Sequence, residues 1–336
     1  MEPLRIGVLG AARISENTLF PPVEDIGARV VAVAARDRRK AEAYAEANGI
    51  ERTVADYEAL IADPEVEAIY NPLPNGLHAP WNLAAIEAGK HLLAEKPFAS
   101  NLAEAIEVHE AAAARPELVV FNGFHYSYHP VFHRFKEILS SGEIGDVQYV
   151  RVVMTVDVPD LNDIRWSWPL AGGALMDVGC YVIDALDHVA AELGGEARLL
   201  DIKTGHAEGT DPRVDSWAEM TFALPGGVHG AAEVNLTGPR IFTATAVGSK
   251  GSVHQSNLSY VHTDDRIFVT TAEGTRVENL GLTSSFTFQM RAFRDAIRTG
   301  AEYHTTTAAA VENMRTIDAA YEMAGLPLRP TSAGKG

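Results

Sequence analysis

Leu4-Arg5-Ile6-Gly7-Val8-Leu9-Gly10-Ala11-Ala12-Arg13-Ile14-Ser15 decides the fold. An apolar run reads as a strand, Gly10 as a tight turn, and Ser15 as the opening of a helix. Outward from it the same alternation repeats. Arg29–Ala34 predicts a second strand and Arg38–Asn48 a helix. Thr53-Val54 predicts a short third strand, Asp56–Ala62 a helix and Ala68–Asn71 a fourth strand. Leu77–Ala88 predicts a helix closed by Gly89, His91–Ala94 a fifth strand, Leu102–Ala114 a helix and Leu118–Phe121 a sixth strand. Strands and helices in strict alternation, joined by short loops, imply βαβ units and a parallel sheet.

Beyond Asn122 the pattern changes. Pro130–Ser140 reads as a helix, Asp146–Val156 as a long strand and Gly173–Glu192 as a helix. Arg198–Asn279 reads mostly as strands. Hairpin signals stand at Leu224-Pro225-Gly226-Gly227, Gly248-Ser249-Lys250-Gly251 and Ala272-Glu273-Gly274. Helices near Phe286–Arg298 and Thr306–Met323 close the chain. The expected fold class is α/β: a doubly wound parallel sheet, then an α+β domain with an open, mainly antiparallel sheet. The expected domains are residues 1–122 and 123–329, with 330–336 a disordered tail.

The chain has 336 residues, 46% of them hydrophobic and 22% charged, as in ordinary globular proteins of two domains. A net charge of −17 argues against nucleic acid or an anionic membrane surface as partner. The single cysteine, Cys180, permits no intrachain disulfide and fits a reducing compartment. With neither a signal-peptide pattern nor an uncharged apolar span, a cytoplasmic protein is expected.

The turn at Gly10 matches the dinucleotide fingerprint G-x-G-x-x-G in its first glycine only, with Ala12 and Ser15 at the other two places. Its context, strand then turn then helix, suits a pyrophosphate beside Gly10, Ala12, Arg13 and Ile14. The second strand ends Ala34-Ala35-Arg36-Asp37-Arg38. Ala35 stands where an acid would bond the ribose of NAD, and Arg36 and Arg38 suit a 2′-phosphate, so NADP is favoured over NAD.

Glu95-Lys96-Pro97 ends the fifth strand. A lysine there lies at the carboxyl end of a parallel sheet, where such sheets bind ligands, and proline stops the strand. Asp177 and Tyr181 stand four apart in a helical stretch and so share a face. If that face is aimed at Lys96, these are the parts for carbinol oxidation. Tyr181 takes the hydroxyl proton, Lys96 lowers its pKa, and Asp177 bonds the substrate and orients its neighbours. Alone, the pair would read as a helix-surface contact.

With these residues the chain resembles the glucose–fructose oxidoreductase/inositol dehydrogenase (Gfo/Idh/MocA) family. The resemblance runs from Ile6 to about Arg329 and rests on Glu95-Lys96-Pro97, on Gly173…Asp177…Tyr181, and on Tyr70-Asn71-Pro72-Leu73-Pro74-Asn75-Gly76-Leu77-His78. It implies a Rossmann domain, a second domain whose sheet is often buried in dimers or tetramers, and catalytic roles for Lys96, Asp177 and Tyr181. Tyrosine at 181, with Asp163-Ile164-Arg165-Trp166, looks like the dihydrodiol dehydrogenase and NADP-dependent xylose dehydrogenase branch. The substrate implied is a sugar or small cyclic polyol. Pro72, Asn75, His78, Glu95, Lys96, Pro97, Arg165 and Trp166 join the expected cofactor contacts. Lys96, His125, Tyr126, Asp177 and Tyr181 are the expected substrate contacts.

One departure is marked: His125-Tyr126-Ser127-Tyr128-His129-Pro130 stands where that branch has Met-Tyr-Arg-Phe-His-Pro. His125, His129 and His133 could align three imidazoles, but without zinc-site partners no metal is expected. Cys180 reads as a packing residue. The alternatives are a dinucleotide sensor without catalysis, and a redox-neutral enzyme holding NAD tightly.

Overall fold

The computed structural model describes residues 2–332. The described residues divide into two compact units: one of residues 2–124, 286–314 and 330–332, the other of residues 125–285 and 315–329.

The first unit carries β1 (Arg5–Leu9), α1 (Ser15–Thr18), α2 (Phe20–Asp25), β2 (Arg29–Ala34), α3 (Arg38–Asn48) and α4 (Tyr57–Ala62). It continues with β3 (Ala68–Asn71), α5 (His78–Glu87), β4 (His91–Ala94), α6 (Leu102–Ala113) and β5 (Val120–Asn122). The strands form one parallel sheet in the order β2-β1-β3-β4-β5. They are buried along nearly their whole length, as parallel strands under helices must be. Helix starts follow side-chain caps. Asp37 accepts from the amides of Arg39 and Lys40, Asp56 from Ala59, and Asn101 from Glu104.

Two sequence expectations change here. Thr53-Val54 is no strand; Thr53 makes a single bridge to Val33, too short to extend the ladder, so the sheet has five strands rather than six. Of the expected disordered tail, Thr331 and Ser332 instead meet the start of α6. There Thr331 Oγ1 accepts from Asn101 Nδ2 and Ser332 N donates to Glu104. Residues 333–336 lie outside the described residues.

The second unit carries α7 (Pro130–Ser141), β6 (Val147–Asp157), α8 (Cys180–Glu192) and β7 (Arg198–Gly205). Then come β8 (Trp217–Ala223), β9 (His229–Asn235), β10 (Thr237–Gly248), β11 (Gly251–Gln255), β12 (Arg266–Thr271) and β13 (Gly274–Asn279). All three hairpin signals are hairpins. The sheet order is β13-β12-β11-β10-β6-β9-β8-β7. β6 is inserted between β9 and β10, so the turn joining those two makes no hairpin and β6–β9 is a parallel pair in an otherwise antiparallel sheet. Val150, Val152 and Met154 of β6 and Ala244 and Ala246 of β10 face inward and are buried. Their neighbours Tyr149, Ile241 and Val247 face outward and are exposed. The chain ends in α9 (Ser285–Thr299) and α10 (Thr307–Met323).

Trp168–Glu192 is a helical run long and apolar enough, by length and composition, to cross a membrane; 83% of its most apolar window is buried in the protein, as in a core helix.

Candidate active site

In the first unit, Gly10 has φ +84° and its amide donates to Ala34 O at 2.7 Å. A Cβ at Gly10 would meet Leu73 Cδ2 at 3.0 Å, so the turn needs glycine both for its dihedral and for its space. Tyr44 OH donates to Ala12 O at 3.0 Å and fixes the far side of the turn. At the end of β2 a cavity of about 230 Å³ is lined by Ala35, Arg36, Asp56, Tyr57, Glu58 and Trp81. Asp37 and Asp56 spend their carboxylates on helix amides, which leaves Arg36 as the cation of this cavity. Arg38 points elsewhere, paired with Glu42 at 2.9 Å on the exposed surface. The narrow glycine turn, the missing acid at Ala35 and the Arg36 cavity together fit a dinucleotide with a phosphorylated ribose.

The loop after β4 is held from behind. Glu95 is buried, and Tyr70 OH donates to its Oε1 at 2.8 Å while bonding Thr18 Oγ1 at 2.7 Å. Burial raises the Glu95 pKa, against the neighbouring Lys96 charge that lowers it. Lys96 itself is half-buried and precedes a cis peptide bond to Pro97. The buried His78 ring spans two backbone carbonyls, Pro97 O from Nδ1 and Leu73 O from Nε2, both at 2.6 Å. Burial lowers its pKa while the two carbonyls oppose the shift. His78 thus ties the loop after β3, which holds Pro72 and Asn75, to the loop that holds Lys96. Asn71 and Asn82 extend this clamp through Nδ2–Oδ1 at 2.7 Å and Asn82 Nδ2–Phe98 O at 3.2 Å. Gly123 lies so close that a Cβ would sit 3.0 Å from Ala94 O and 3.2 Å from Glu95 Cα.

In the second unit the expected helix over 173–192 runs unbroken from Ala174 to Glu192, with a π-helical turn at Leu175–Gly179 leading into α8. The wider turn shifts the simple four-residue register; Asp177 there meets Arg165, and Tyr181 meets His125. Asp177 Oδ2 accepts from Arg165 Nε at 2.7 Å, and Arg165 also donates to Asp163 at 3.1 Å. The two carboxylates push the guanidinium pKa up. Trp166 is buried, its indole N–H donating to Val158 O at 3.2 Å. Tyr181, also buried, meets His125 Nε2 at 3.1 Å through its hydroxyl. Its ring packs at 5.9 Å against Tyr126, whose hydroxyl donates to Asp184. Burial raises the Asp184 carboxyl to about 7, against that hydrogen bond. Cys180 is buried. His129 caps α7 through Val131 N and bonds Thr283 O, so its imidazole serves the backbone.

Behind the π turn lies an ion pair with no solvent exposure on either side chain, Arg329 with Asp215. Asp215 also accepts from Tyr321 OH at 2.9 Å and from Leu175 N at 2.7 Å; Arg329 Nε donates to Gly172 O at 2.7 Å. Gly173, at φ +133°, closes against them. Arg329 and Asp215 carry no local sequence signal for this role, and neither do Ser285 and Ser259, which meet the His125 ring at 2.8 and 3.4 Å. Only the adjacent Gly172-Gly173 hinted that side chains crowd the start of this helix.

Comparison with known proteins places both units in one family. The family model described as "Oxidoreductase family, NAD-binding Rossmann fold" matches residues 4–124, and the "GFO/IDH/MocA C-terminal domain" matches residues 132–254. The chain is 32% identical over 327 residues to D-xylose 1-dehydrogenase (NADP(+)) 2 of Haloferax volcanii, covering 96% of this chain and 97% of that one. It is 32% identical over 258 residues to the trans-1,2-dihydrobenzene-1,2-diol dehydrogenase of Mus musculus, covering 76% of this chain and 75% of that one. Among solved structures it is similar to KijD10, a 3-ketoreductase from Actinomadura kijaniata in complex with NADP and TDP-benzene. That match has a TM-score of 0.87 at 26% identity, covering 96% of this chain and 98% of that one. The chain belongs to the GFO/IDH/MocA family of NAD(P)-dependent oxidoreductases.

Proposed function

We propose that the protein is an NADP-preferring dehydrogenase or reductase acting on a CH–OH group of a sugar or small cyclic polyol. The observation that carries this reading is Tyr181: a buried phenol placed by α8 with its hydroxyl 3.1 Å from an imidazole, in position to exchange a proton. The NADP-linked xylose dehydrogenase and the dihydrodiol dehydrogenase among its relatives support the substrate class. The NADP-bound 3-ketoreductase supports the cofactor.

When bound, the nicotinamide supplies the hydride acceptor or donor at its C4. The chain's residues do the rest. Gly10, Ala12, Arg13 and Ile14 border the pyrophosphate turn, and Arg36 takes the 2′-phosphate as a charge-assisted fork. Pro72, Asn75 and His78 shape the loop beside the nicotinamide, and Glu95-Lys96-Pro97 presents the lysine. Lys96 supplies positive charge to the oxyanion that develops, and Tyr181 carries the hydroxyl proton. Asp177 and Arg165 act as a pair, each fixing the other, beside the buried Trp166; Tyr126, fully buried, packs against the Tyr181 ring and supports it.

The test is a panel of D-xylose, other aldoses and trans-dihydrodiols offered with NADP to the wild type and to Tyr181→Phe. Reduced dinucleotide should form with wild type on at least one substrate and fall by at least about 100-fold in the variant. No turnover on any member, or an undiminished variant, sinks the reading.

We further propose a cytoplasmic homodimer or homotetramer assembled through the outer face of the second sheet. Tyr149, 37% exposed, pairs there with Val247, 39% exposed, and Ile241 is 40% exposed. A monomeric mass by sedimentation at micromolar concentration would end that proposal.

A further inference from the structure

The hydrogen bonds around His125 assign it a tautomer. Ser285 Oγ lies 3.2 Å from Ser259 O, a carbonyl that can only accept; a hydroxyl proton turned to that carbonyl leaves a lone pair to meet His125 Nδ1 at 2.8 Å. A lone pair there requires Nδ1–H on the imidazole. Nε2 is then unprotonated, and it faces two hydroxyl donors, Tyr181 OH at 3.1 Å and Ser259 Oγ at 3.4 Å. The ring is 1% exposed and packs edge-on to Tyr181, with centroids 5.8 Å apart. The base is thereby aimed at the phenol by the serine pair on its opposite edge.

From this geometry we infer that His125 is the positioning residue that receives the proton of Tyr181, making residues 285, 125 and 181 a Ser–His–Tyr relay. The inference rests on the role of Tyr181 proposed above. In the oxidising direction the substrate O–H bond breaks and its proton bonds to the Tyr181 oxygen. The phenol O–H bond breaks at the same time and its proton bonds to His125 Nε2. The electron pair of the substrate C–H bond leaves with the hydride that the reaction already removes. The imidazole becomes imidazolium, its Nδ1–H still held by Ser285, and the reverse direction returns each proton. Tyr181 therefore never has to stand as a free phenolate to serve as a base. A methionine at position 125 would have no such capacity, so the relay depends on the imidazole there.

Two measurements test it. Nitrogen NMR of the ¹⁵N-histidine-labelled wild type, without substrate, should show His125 as the Nδ1–H tautomer; an Nε2–H tautomer overturns the relay whatever the activity. In kinetics on the most active substrate of the panel, His125→Met and His125→Gln should each lose at least about tenfold in kcat, with KM and dinucleotide Kd within about twofold of wild type. Glutamine keeps an acceptor but is no base, so rescue by His125→Gln overturns proton transfer and leaves only a hydrogen-bonding role. The double variant Tyr181→Phe/His125→Gln should be no slower than Tyr181→Phe; a further loss would show that His125 does not act through Tyr181. An active Tyr181→Phe would instead refute the proposed function and not the tautomer. If both His125 variants fail to fold, the tautomer measurement on the wild type still decides.

Discussion

Removing the carboxylate of Asp215 should destabilise the second unit more than any change on the surface of its sheet. In Asp215→Ala the Arg329 guanidinium stays fully buried without its counter-charge, and Tyr321 OH and Leu175 N lose their acceptor. Breaking one side of a buried pair costs about 3–5 kcal/mol, because the surviving charge cannot reach water. For a unit of this size each kcal/mol moves Tm by about 2–4 °C, so the melting transition should fall by roughly 6–20 °C. Scanning calorimetry at neutral pH measures this, with urea unfolding as a check on the free energy. The double variant Asp215→Leu/Arg329→Met removes both charges and should recover a large part of the loss. A fall of less than about 2 °C in Asp215→Ala, or a double variant as unstable as the single, would refute the claim that this pair holds the Gly172-Gly173 turn.

Gly173→Ala places a Cβ 2.2 Å from Asp215 Oδ1 and 2.4 Å from Arg329 Nη2 at φ +133°, so thermal unfolding should show a loss of at least about 2 kcal/mol. Arg36→Ala should raise KM for NADP by about 10- to 100-fold, the worth of a charge-assisted contact, and leave KM for NAD nearly unchanged; steady-state kinetics with both dinucleotides checks this. Asp184 titrates near 7 in the folded protein and near 3.8 as its unperturbed value, because its site is dry. The folded state therefore binds the proton more tightly than the unfolded state, and its advantage is full below about pH 4 and is lost as pH rises through about 7. Urea unfolding from pH 5 to 8 should show the wild type losing stability relative to Asp184→Asn; a gap that does not change with pH contradicts the burial argument.

The parallel sheet was legible because its signals are local. Strand runs such as Ala68–Asn71 and His91–Ala94, capped helices and the glycine turn at Gly10 are written within a few residues of one another. The third strand failed because Thr53-Val54 is too short for a ladder to form. In the second unit the hairpins were legible from their glycines, but the insertion of β6 between β9 and β10 was not, since no local signal announces a parallel neighbour distant in sequence. The same limit explains the site. Lys96 and Tyr181 stand in recognisable local motifs. The serines around His125, which meets Tyr181, and the partners of the π turn arrive from segments far along the chain: Ser259, Ser285, Asp215 and Arg329. The i,i+4 spacing of Asp177 and Tyr181 assumes a plain α-helix, and neither the π turn nor the pairing of Asp177 with Arg165 is written in that spacing. The loop motif of His78 does not announce that its two ring nitrogens engage the backbone carbonyls of Pro97 and Leu73.

The central claim is that Lys96 serves hydride transfer at a CH–OH group and is not a structural lysine at a strand end. The direct measurement is Lys96→Met, followed by absorbance of the reduced dinucleotide for turnover and by fluorescence quenching for NADPH affinity. Turnover should fall by at least about 1000-fold while NADPH affinity stays within about threefold of wild type. Turnover that survives the substitution, or affinity lost in step with turnover, would contradict it.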